Sequence, residues 1–204
     1  MNTLILNGAD AHSISKASAL MQAGNLVAVP TETVYGLAAD ARRLDAVKMI
    51  FEVKNRPAGH PLIMHFAEVD AILPWVLDVP DTFFKLASHF WPGPLSVLLY
   101  KSDRVSNEIT GGSEKVCVRI PNHQLALSII KELGAPIVAP SANTFGGISP
   151  TCAEHVLADM DGKIAAIVDG AIYKPTSAKT TLVSWKNIAA VKSIQVKLGA
   201  SVVC

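Results

Sequence analysis

The feature that most constrains the fold is a repeated alternation of short apolar runs with amphipathic segments along most of the chain. Apolar runs of strand length occur at residues 25–30, 61–66, 95–100, 116–121, 136–140, 163–170, 180–185 and 193–199. Segments with the apolar spacing of helices occur at residues 10–23, 44–53, 68–77, 81–90, 123–133 and 151–160. This alternation predicts an α/β (mixed α+β) domain, with a twisted mixed parallel and antiparallel sheet flanked by helices.

Two local patterns refine this prediction. Thr151 and Glu154 have the spacing of a capping box, which predicts that a helix begins at Thr151. In the run at 116–121, strict alternation predicts that the two valines and the isoleucine share one face, with Cys117 and Arg119 on the other.

Length and composition favour one domain, residues 1–204, with a large aliphatic core, because half of the residues are hydrophobic. The net charge of +1 indicates no general affinity for polyanions, so a nucleic-acid role would need a local basic patch. The three cysteines show neither metal-binding nor disulfide spacing, which favours a reducing cytoplasm. The first residues do not form a signal peptide, and the longest uncharged run contains prolines and glycines, so we expect no membrane span.

Polar stretches interrupt the apolar pattern at 30–36, 54–61, 118–121 and 140–151, beside strand ends where ligand loops of α/β sheets lie. None has a known phosphate-binding fingerprint. The stretch KNRPAGHP (54–61) pairs Lys54 with Arg56 beside two prolines, an arrangement suited to several phosphate oxygens. The alternative is a solvated helix C-terminus, where cations favour the helix dipole, and the sequence leaves both open.

The loop at 140–151 is rich in hydroxyl and amide groups, and its glycines would let backbone N–H groups approach an anion. It could equally be a plain connection. Arg119 lies on an apolar strand, so it should either extend to solvent or pair with a carboxylate, as a structural ion pair or as a ligand site. Glu32 could act as a base, although a single carboxylate in a turn is usually a capping or solvated group.

Taken together, these stretches resemble the YrdC-like family, which comprises the threonylcarbamoyl-AMP synthases. The matching segments, in the order and spacing of that family, are VPTETVYGLAADA (29–41), KNRPAGHPL (54–62), FWPGPLSVLL (90–99), VCVRIP (116–121) and APSANTFGGISPT (139–151). Lys54 and Arg56 match its K-x-R signature, and Ser141 and Asn143 match its S-x-N signature. The resemblance runs from about residue 10 to about residue 170 and continues more faintly to the end.

The resemblance implies a sheet with a deep basic cleft and one reaction. L-threonine, bicarbonate or CO2, and ATP would give threonylcarbamoyl-adenylate and pyrophosphate, with Mg2+ accompanying ATP. A tRNA-modifying threonylcarbamoyltransferase complex would then receive the threonylcarbamoyl group. The sequence would be the short, single-domain form of the family. Such a reaction depends on positioning and electrostatics more than on acid–base groups.

The resemblance also assigns residues. Thr31, Arg119 and Thr180 would bind L-threonine, with Arg119 on its carboxylate, and Lys54 and Arg56 would be the catalytic cations on the triphosphate. The nucleotide site would comprise Lys54, Arg56, His60, Lys115, Ser141, Asn143, Ser149 and Lys197, with no metal ligand from the protein itself.

Several positions depart from the family pattern. His60 replaces a usual asparagine, Phe145 stands where a serine is common, and Ile148 replaces a usual proline. Lys115 stands where a small hydroxyl residue is common, and Lys197 replaces an arginine and so loses the guanidinium fork. These departures leave open a divergent paralogue that forms another carbamoyl- or acyl-adenylate.

Two further alternatives remain at this point. An RNA-binding module of the same fold would use the same basic cleft, although the near-neutral pI and few aromatic residues argue against it as the main role. A carbamoyl-transfer domain of hydrogenase-maturation type would need zinc-finger and acylphosphatase-like domains, for which a chain of this length has no room.

Overall fold

The computed structural model describes residues 2–170 and 181–184, and within them the chain forms ten strands and six α-helices. The strands are β1 (Leu4–Asn7), β2 (Val27–Val29), β3 (Gly36–Asp40), β4 (Ile63–His65), β5 (Val76–Leu77), β6 (Leu95–Lys101), β7 (Lys115–Arg119), β8 (Ile137–Val138), β9 (Ala166–Asp169) and β10 (Thr181–Ser184). The helices are α1 (Ala11–Gln22), α2 (Leu44–Lys54), α3 (Asp81–Phe90), α4 (Asn107–Thr110), α5 (Gln124–Leu133) and α6 (Ala153–Met160), with one 3-10 turn at Leu73–Trp75.

All ten strands belong to one mixed sheet in the order β1-β9-β2-β3-β8-β4-β7-β6-β10, with β5 paired to the edge of β6. Strands β4 and β7 are parallel, whereas β8 and β6, which flank them, are antiparallel to them. The predicted mixed α/β sheet is therefore confirmed. Because β4 and β7 run in parallel, the loops that precede both strands lie at the same end of the sheet.

The sheet has different environments on its two faces. Helices α2, α3 and α6 cover one face and enclose the larger core, to which Val116 and Val118 of β7 belong. Helices α1 and α5 pack on the other face, where the smaller core draws its strand residues from β2, β3, β8 and β9. On β4, β6 and β7 this second face carries Arg119, His65 and Ser96 instead of core residues. The alternation predicted for the run at 116–121 is confirmed.

Two local predictions are wrong, and two strands were not predicted. The helix predicted at 68–77 is a single 3-10 turn followed by β5, because Pro74 lies within it and cannot donate an interior helical hydrogen bond. Helix α6 begins after Cys152, with no side-chain cap, so the capping box of Thr151 and Glu154 does not form. The pattern did not indicate β1 or β3, and β3 begins at the end of the polar stretch at 30–36.

The strand predicted at 193–199 lies outside the described residues, and of the run at 180–185 the structure describes only β10. None of the helices in the described ranges has the length and apolar character required to span a bilayer.

Candidate active site

Lys54 joins the end of helix α2 to the loop that follows β8. Only 1% of its surface is exposed, and its ammonium group donates to the carbonyl oxygen of Ser141 at 2.5 Å and to that of Asn143. The solvated helix end that the sequence left open is therefore wrong for Lys54. The helix stops here because Asn55 adopts the left-handed conformation, with φ of 51°, which turns the chain toward Arg56.

Phe145 forms a second contact between the same two loops. Its backbone N–H donates to the carbonyl of Lys54 at 2.8 Å. The guanidinium of Arg56 lies 5.6 Å from the centre of the Phe145 ring, and the ring of His60 meets it edge-on at 5.3 Å. Arg56 also donates to the carbonyl of Pro61 at 3.0 Å. Two of the departures from the family pattern, His60 and Phe145, thus pack against each other, and Phe145 also packs against the signature cation Arg56.

The side chain of Asn143 forms hydrogen bonds inside the loop at 140–151. Its side-chain N–H groups donate to the carbonyls of Thr144 at 2.7 Å and Gly147 at 3.0 Å, which tightens the turn around the glycines. Its Oδ1 atom is buried and accepts no hydrogen bond within the described part of the chain. The backbone N–H of Thr144 donates to Asp159 of α6 at 3.0 Å. The loop is therefore held from both sides and keeps one buried acceptor unused.

An open groove of about 700 Å³ lies along the outer side of this loop. It is lined by Phe145, Ile148, Ser149 and Asp159, among others. Phe145 is 42% exposed and Ser149 is exposed, so both could contact a ligand. The dimensions suit a small organic molecule.

Burial is the main cause of the lowered pKa of Lys54. Loss of hydration, with a smaller contribution from neighbouring Arg56, lowers the pKa of Lys54 to about 8, while Asp159 acts in the opposite direction. The two carbonyl oxygens at its ammonium also favour the charged form. An ammonium in this setting is only weakly hydrated, so it interacts with a nearby anion more strongly than a surface lysine would.

The loop between β2 and β3 covers Arg119. Arg119 forms an ion pair with Glu32 at 2.7 Å, a short contact without a well-aligned hydrogen bond, and the two side chains are only 4% and 2% exposed. Its Nε donates to the carbonyl of Gly93 at 3.2 Å, and its Nη2 lies 3.3 Å from the hydroxyl of Thr33. Of the alternatives left open for Arg119, the structure shows the structural ion pair, and its carboxylate belongs to Glu32.

Thr31 and Tyr35 connect this loop to the rest of the site. The hydroxyl of Thr31 donates to the carbonyl of Val34 at 2.6 Å and accepts from backbone N–H groups in its own turn. The backbone of Tyr35 donates to Pro150 and accepts from Ala142, each at 2.8 Å. The loop at residues 31–35 therefore contacts Arg119 at one end and the 140–151 loop at the other.

Two buried histidines lie near Arg119 and were not assigned to the site from sequence. Burial and the charge of Arg119 lower the pKa of His65 to about 3, so the imidazole is neutral at ordinary pH. Burial also lowers the pKa of His123, and the nearby carboxylate of Glu32 opposes that shift. The sequence showed only that His65 lies in the apolar run that forms β4. The pairing of His65 with Arg119 across β4 and β7 brings it to the site.

The structure brings most of the sequence-predicted residues to one region. Lys115 lies on the same face of β7 as Arg119 but at the opposite end of the strand, and its ammonium lies 4.9 Å from the ring centre of Tyr100. Thr180 and Lys197 lie outside the described residues. Among the described residues, no group of three or more acidic, histidine or cysteine side chains is placed to hold a metal ion.

Comparison with known proteins gives a consistent result. A family model for Sua5, YciO and YrdC, described as "Telomere recombination", matches residues 19–194. The chain is 49% identical over 158 residues to the threonylcarbamoyl-AMP synthase of Bacillus subtilis, a match that covers 77% of this chain and 46% of that protein. It is 36% identical over 156 residues to the synthase of Alkalilimnicola ehrlichii, covering 76% of this chain and 81% of that protein. The chain thus spans about half the length of the more similar relative.

Solved structures show the same fold. The structure of Pyrococcus abyssi Sua5 complexed with L-threonine matches with a TM-score of 0.85 and 43% identity, over 90% of this chain and 55% of that one. The structure of E. coli YciO matches with a TM-score of 0.75 at 17% identity, over 90% of this chain and 88% of that one, a likeness of fold alone.

Proposed function

The chain belongs to the Sua5, YciO and YrdC family, and we propose that it is an L-threonylcarbamoyladenylate synthase. It would join L-threonine, bicarbonate or CO2, and ATP into threonylcarbamoyl-AMP and pyrophosphate. The observation that carries this proposal is the match, over most of the chain, to a Sua5 structure complexed with L-threonine.

At the amino-acid end of the site, Arg119 would bind the carboxylate of L-threonine, with Thr31 and Thr180 as further ligands. For Arg119 to bind the substrate carboxylate, its guanidinium would contact the ligand in addition to Glu32, which it contacts at 2.7 Å. For Thr31 to contact the substrate, its hydroxyl would exchange its present hydrogen bond to Val34 for one to the ligand.

At the nucleotide end, Lys54 and Arg56 would bind the phosphates of ATP. Lys54 already uses two of its three N–H donors on loop carbonyls, so it would offer the third while keeping the loop in place. The remaining nucleotide contacts would come from His60, Lys115, Ser141, Asn143, Ser149 and Lys197.

The chemistry follows from these charges. The amine of L-threonine would take up CO2 and release a proton, which gives a carbamate. A carbamate oxygen would then attack the α-phosphorus of ATP, and the bond to the pyrophosphate oxygen would break. Cations held in place before the reaction would stabilise the charge on the leaving pyrophosphate without reorganisation of the site.

Mg2+ would enter with ATP. The described residues provide no carboxylate cluster for the ion, which suits a metal held by the phosphates and water. When bound, it would neutralise part of the phosphate charge.

The product would pass to a tRNA-modifying threonylcarbamoyltransferase complex, and we expect the protein to act in the cytoplasm. Weak RNA binding is a further prediction, in which tRNA contacts the same cations. A divergent paralogue would keep the adenylate chemistry and use another acyl group.

The test is release of pyrophosphate by the purified protein with each substrate omitted in turn. We expect release only when L-threonine, bicarbonate and ATP are all present, and release without L-threonine would show that the proposed substrate is wrong. Arg56→Ala should reduce turnover at least tenfold, whereas Arg104→Ala, which removes an exposed cation from another loop, should leave it unchanged. Equal turnover in both variants would show that Arg56 does not belong to the active site.

A further inference from the structure

Three polar side chains form a row across adjacent strands on the face opposite the larger core. His65 of β4 pairs with Arg119 of β7. Val97 of β6 pairs with Val118, and continuation of this register by one residue places Ser96 opposite Arg119. We call Ser96, Arg119 and His65 the polar row. Neighbours in such a row have Cβ atoms about 5 Å apart, close enough for one small molecule to touch two of them.

Two members of the polar row are buried without a hydrogen bond. Ser96 is 0% exposed and His65 is 4% exposed. The hydroxyl of Ser96 and both ring nitrogens of His65 have no hydrogen-bond partner in the described part of the chain. Buried polar groups are nearly always paired in folded proteins, so two unpaired groups beside a buried arginine require a reason.

The position of Ser96 suggests that reason. Leu95 and Val97, its neighbours along β6, both belong to the larger core, so Ser96 alone of the three faces Arg119. An apolar residue would fill the same space without an unpaired hydroxyl. A buried serine without a partner in the described part of the chain is explained if the substrate brings the missing donor or acceptor.

We propose that Ser96 is a specificity-determining residue whose hydroxyl hydrogen-bonds the side-chain hydroxyl of the amino-acid substrate. This inference rests on the proposed function, in which Arg119 binds the substrate carboxylate. In a β-hydroxy amino acid, the carboxylate and the hydroxyl are carried by adjacent carbons. A ligand anchored at Arg119 therefore reaches the neighbouring member of the polar row with its hydroxyl.

The expected consequence is discrimination against substrates of the same shape that lack the hydroxyl. L-Valine has a methyl group where L-threonine has its hydroxyl, so it would leave Ser96 unpaired in the occupied site. Sites built to bond a substrate hydroxyl reject such analogues by large factors, about 10⁴-fold in well-adapted enzymes. Glu32 and Thr33, which cover Arg119, would exclude water that could otherwise pair with Ser96.

The experiment measures kcat/KM for pyrophosphate release with L-threonine and with L-valine. Ser96→Ala should lower the threonine-to-valine ratio about tenfold, the cost of one lost hydrogen bond, while KM for ATP stays the same. Ser96→Thr retains the hydroxyl and should keep the ratio within about threefold of the wild type. The matched control is Thr110→Val, because Thr110 is another buried hydroxyl without a partner, located in α4. It should leave the ratio unchanged.

A threonine-to-valine ratio in Ser96→Ala within twofold of the wild type would overturn the inference. An equal fall of this ratio in Thr110→Val would also overturn it. If the threonine-to-valine ratio falls only in His65→Gln, the substrate hydroxyl is bound by His65, on the other side of Arg119, and the inference is wrong. Calorimetry of L-threonine and L-valine binding separates this inference from the proposed function. Wild-type protein that binds L-threonine without releasing pyrophosphate refutes the synthase activity, and the change of the threonine-to-valine affinity ratio in Ser96→Ala then decides on Ser96. Protein that neither binds nor reacts refutes both.

Discussion

The buried ion pair between Glu32 and Arg119 gives a prediction whose magnitude follows from the structure. The two groups are 2.7 Å apart and are 2% and 4% exposed, so neither can regain water when its partner is lost. Removal of one member of such a pair typically costs 3–5 kcal/mol, because an uncompensated charge stays buried. Glu32→Gln keeps the shape and one acceptor of the side chain, so we expect a loss of about 3 kcal/mol in the free energy of unfolding.

The assay is urea denaturation followed by tryptophan fluorescence, with thermal unfolding as a second measurement. For a chain of this size, about 3 kcal/mol corresponds to a fall in Tm of roughly 6–12 °C. The double variant Glu32→Gln with Arg119→Met should recover part of the loss, with a coupling energy of about 2 kcal/mol. The control is Asp45→Asn, which breaks the exposed pair with Arg43 and should change stability little.

Two outcomes would refute this reasoning. One is a loss below about 1 kcal/mol in Glu32→Gln, which would mean that the charge of Arg119 is compensated elsewhere. The other is a coupling energy below about 0.5 kcal/mol, which is the value for independent sites.

Two other predictions concern the loop contacts. Lys54 has a pKa lowered from 10.5 to about 8 by burial, so between these pH values the unfolded chain binds a proton that the folded protein has released. The free energy of unfolding of the wild type should therefore rise between pH 8 and 10.5, by up to about 3 kcal/mol more than that of Lys54→Met. If the free energies of the two proteins change with pH in parallel, the prediction is wrong. Phe145→Ser removes the ring against which Arg56 packs, so KM for ATP should rise about three- to fivefold with KM for L-threonine unchanged, whereas Phe145→Tyr should restore it. Equal changes in both KM values would indicate a general loss of structure instead.

The sequence predicted the elements whose residues signal themselves locally. Helix α5 and strands β6 and β7 have regular apolar spacing, and the structure places them close to the expected residues. Strand β3 was missed because its sequence, GLAAD, has small residues and no β-branched side chain, so that only its pairing with β2 and β8 defines it as a strand. Local propensity cannot supply that tertiary information.

The same distinction applies to the site. Lys54, Arg56 and Asn143 were assigned from short signatures, and the structure does bring their loops together. Glu32 was taken for a capping or solvated group, because nothing local connects it with Arg119, which lies 87 positions further along the chain. His65 became part of the site only through the register of β4 with β7. Pairings between distant strands and loops are fixed by the whole fold. The sequence could therefore indicate that a buried Arg119 needs a carboxylate, but it could not identify which carboxylate.

The most direct test of the central proposal is to detect the product itself. The purified protein is incubated with L-threonine, ATP, Mg2+ and ¹³C-labelled bicarbonate, and the quenched mixture is analysed by mass spectrometry and ¹³C NMR. The proposed function predicts an adenylate of L-threonine that carries one labelled carbamate carbon, formed in amounts equal to the pyrophosphate released. Pyrophosphate release with an unlabelled adenylate, or with none, would contradict it.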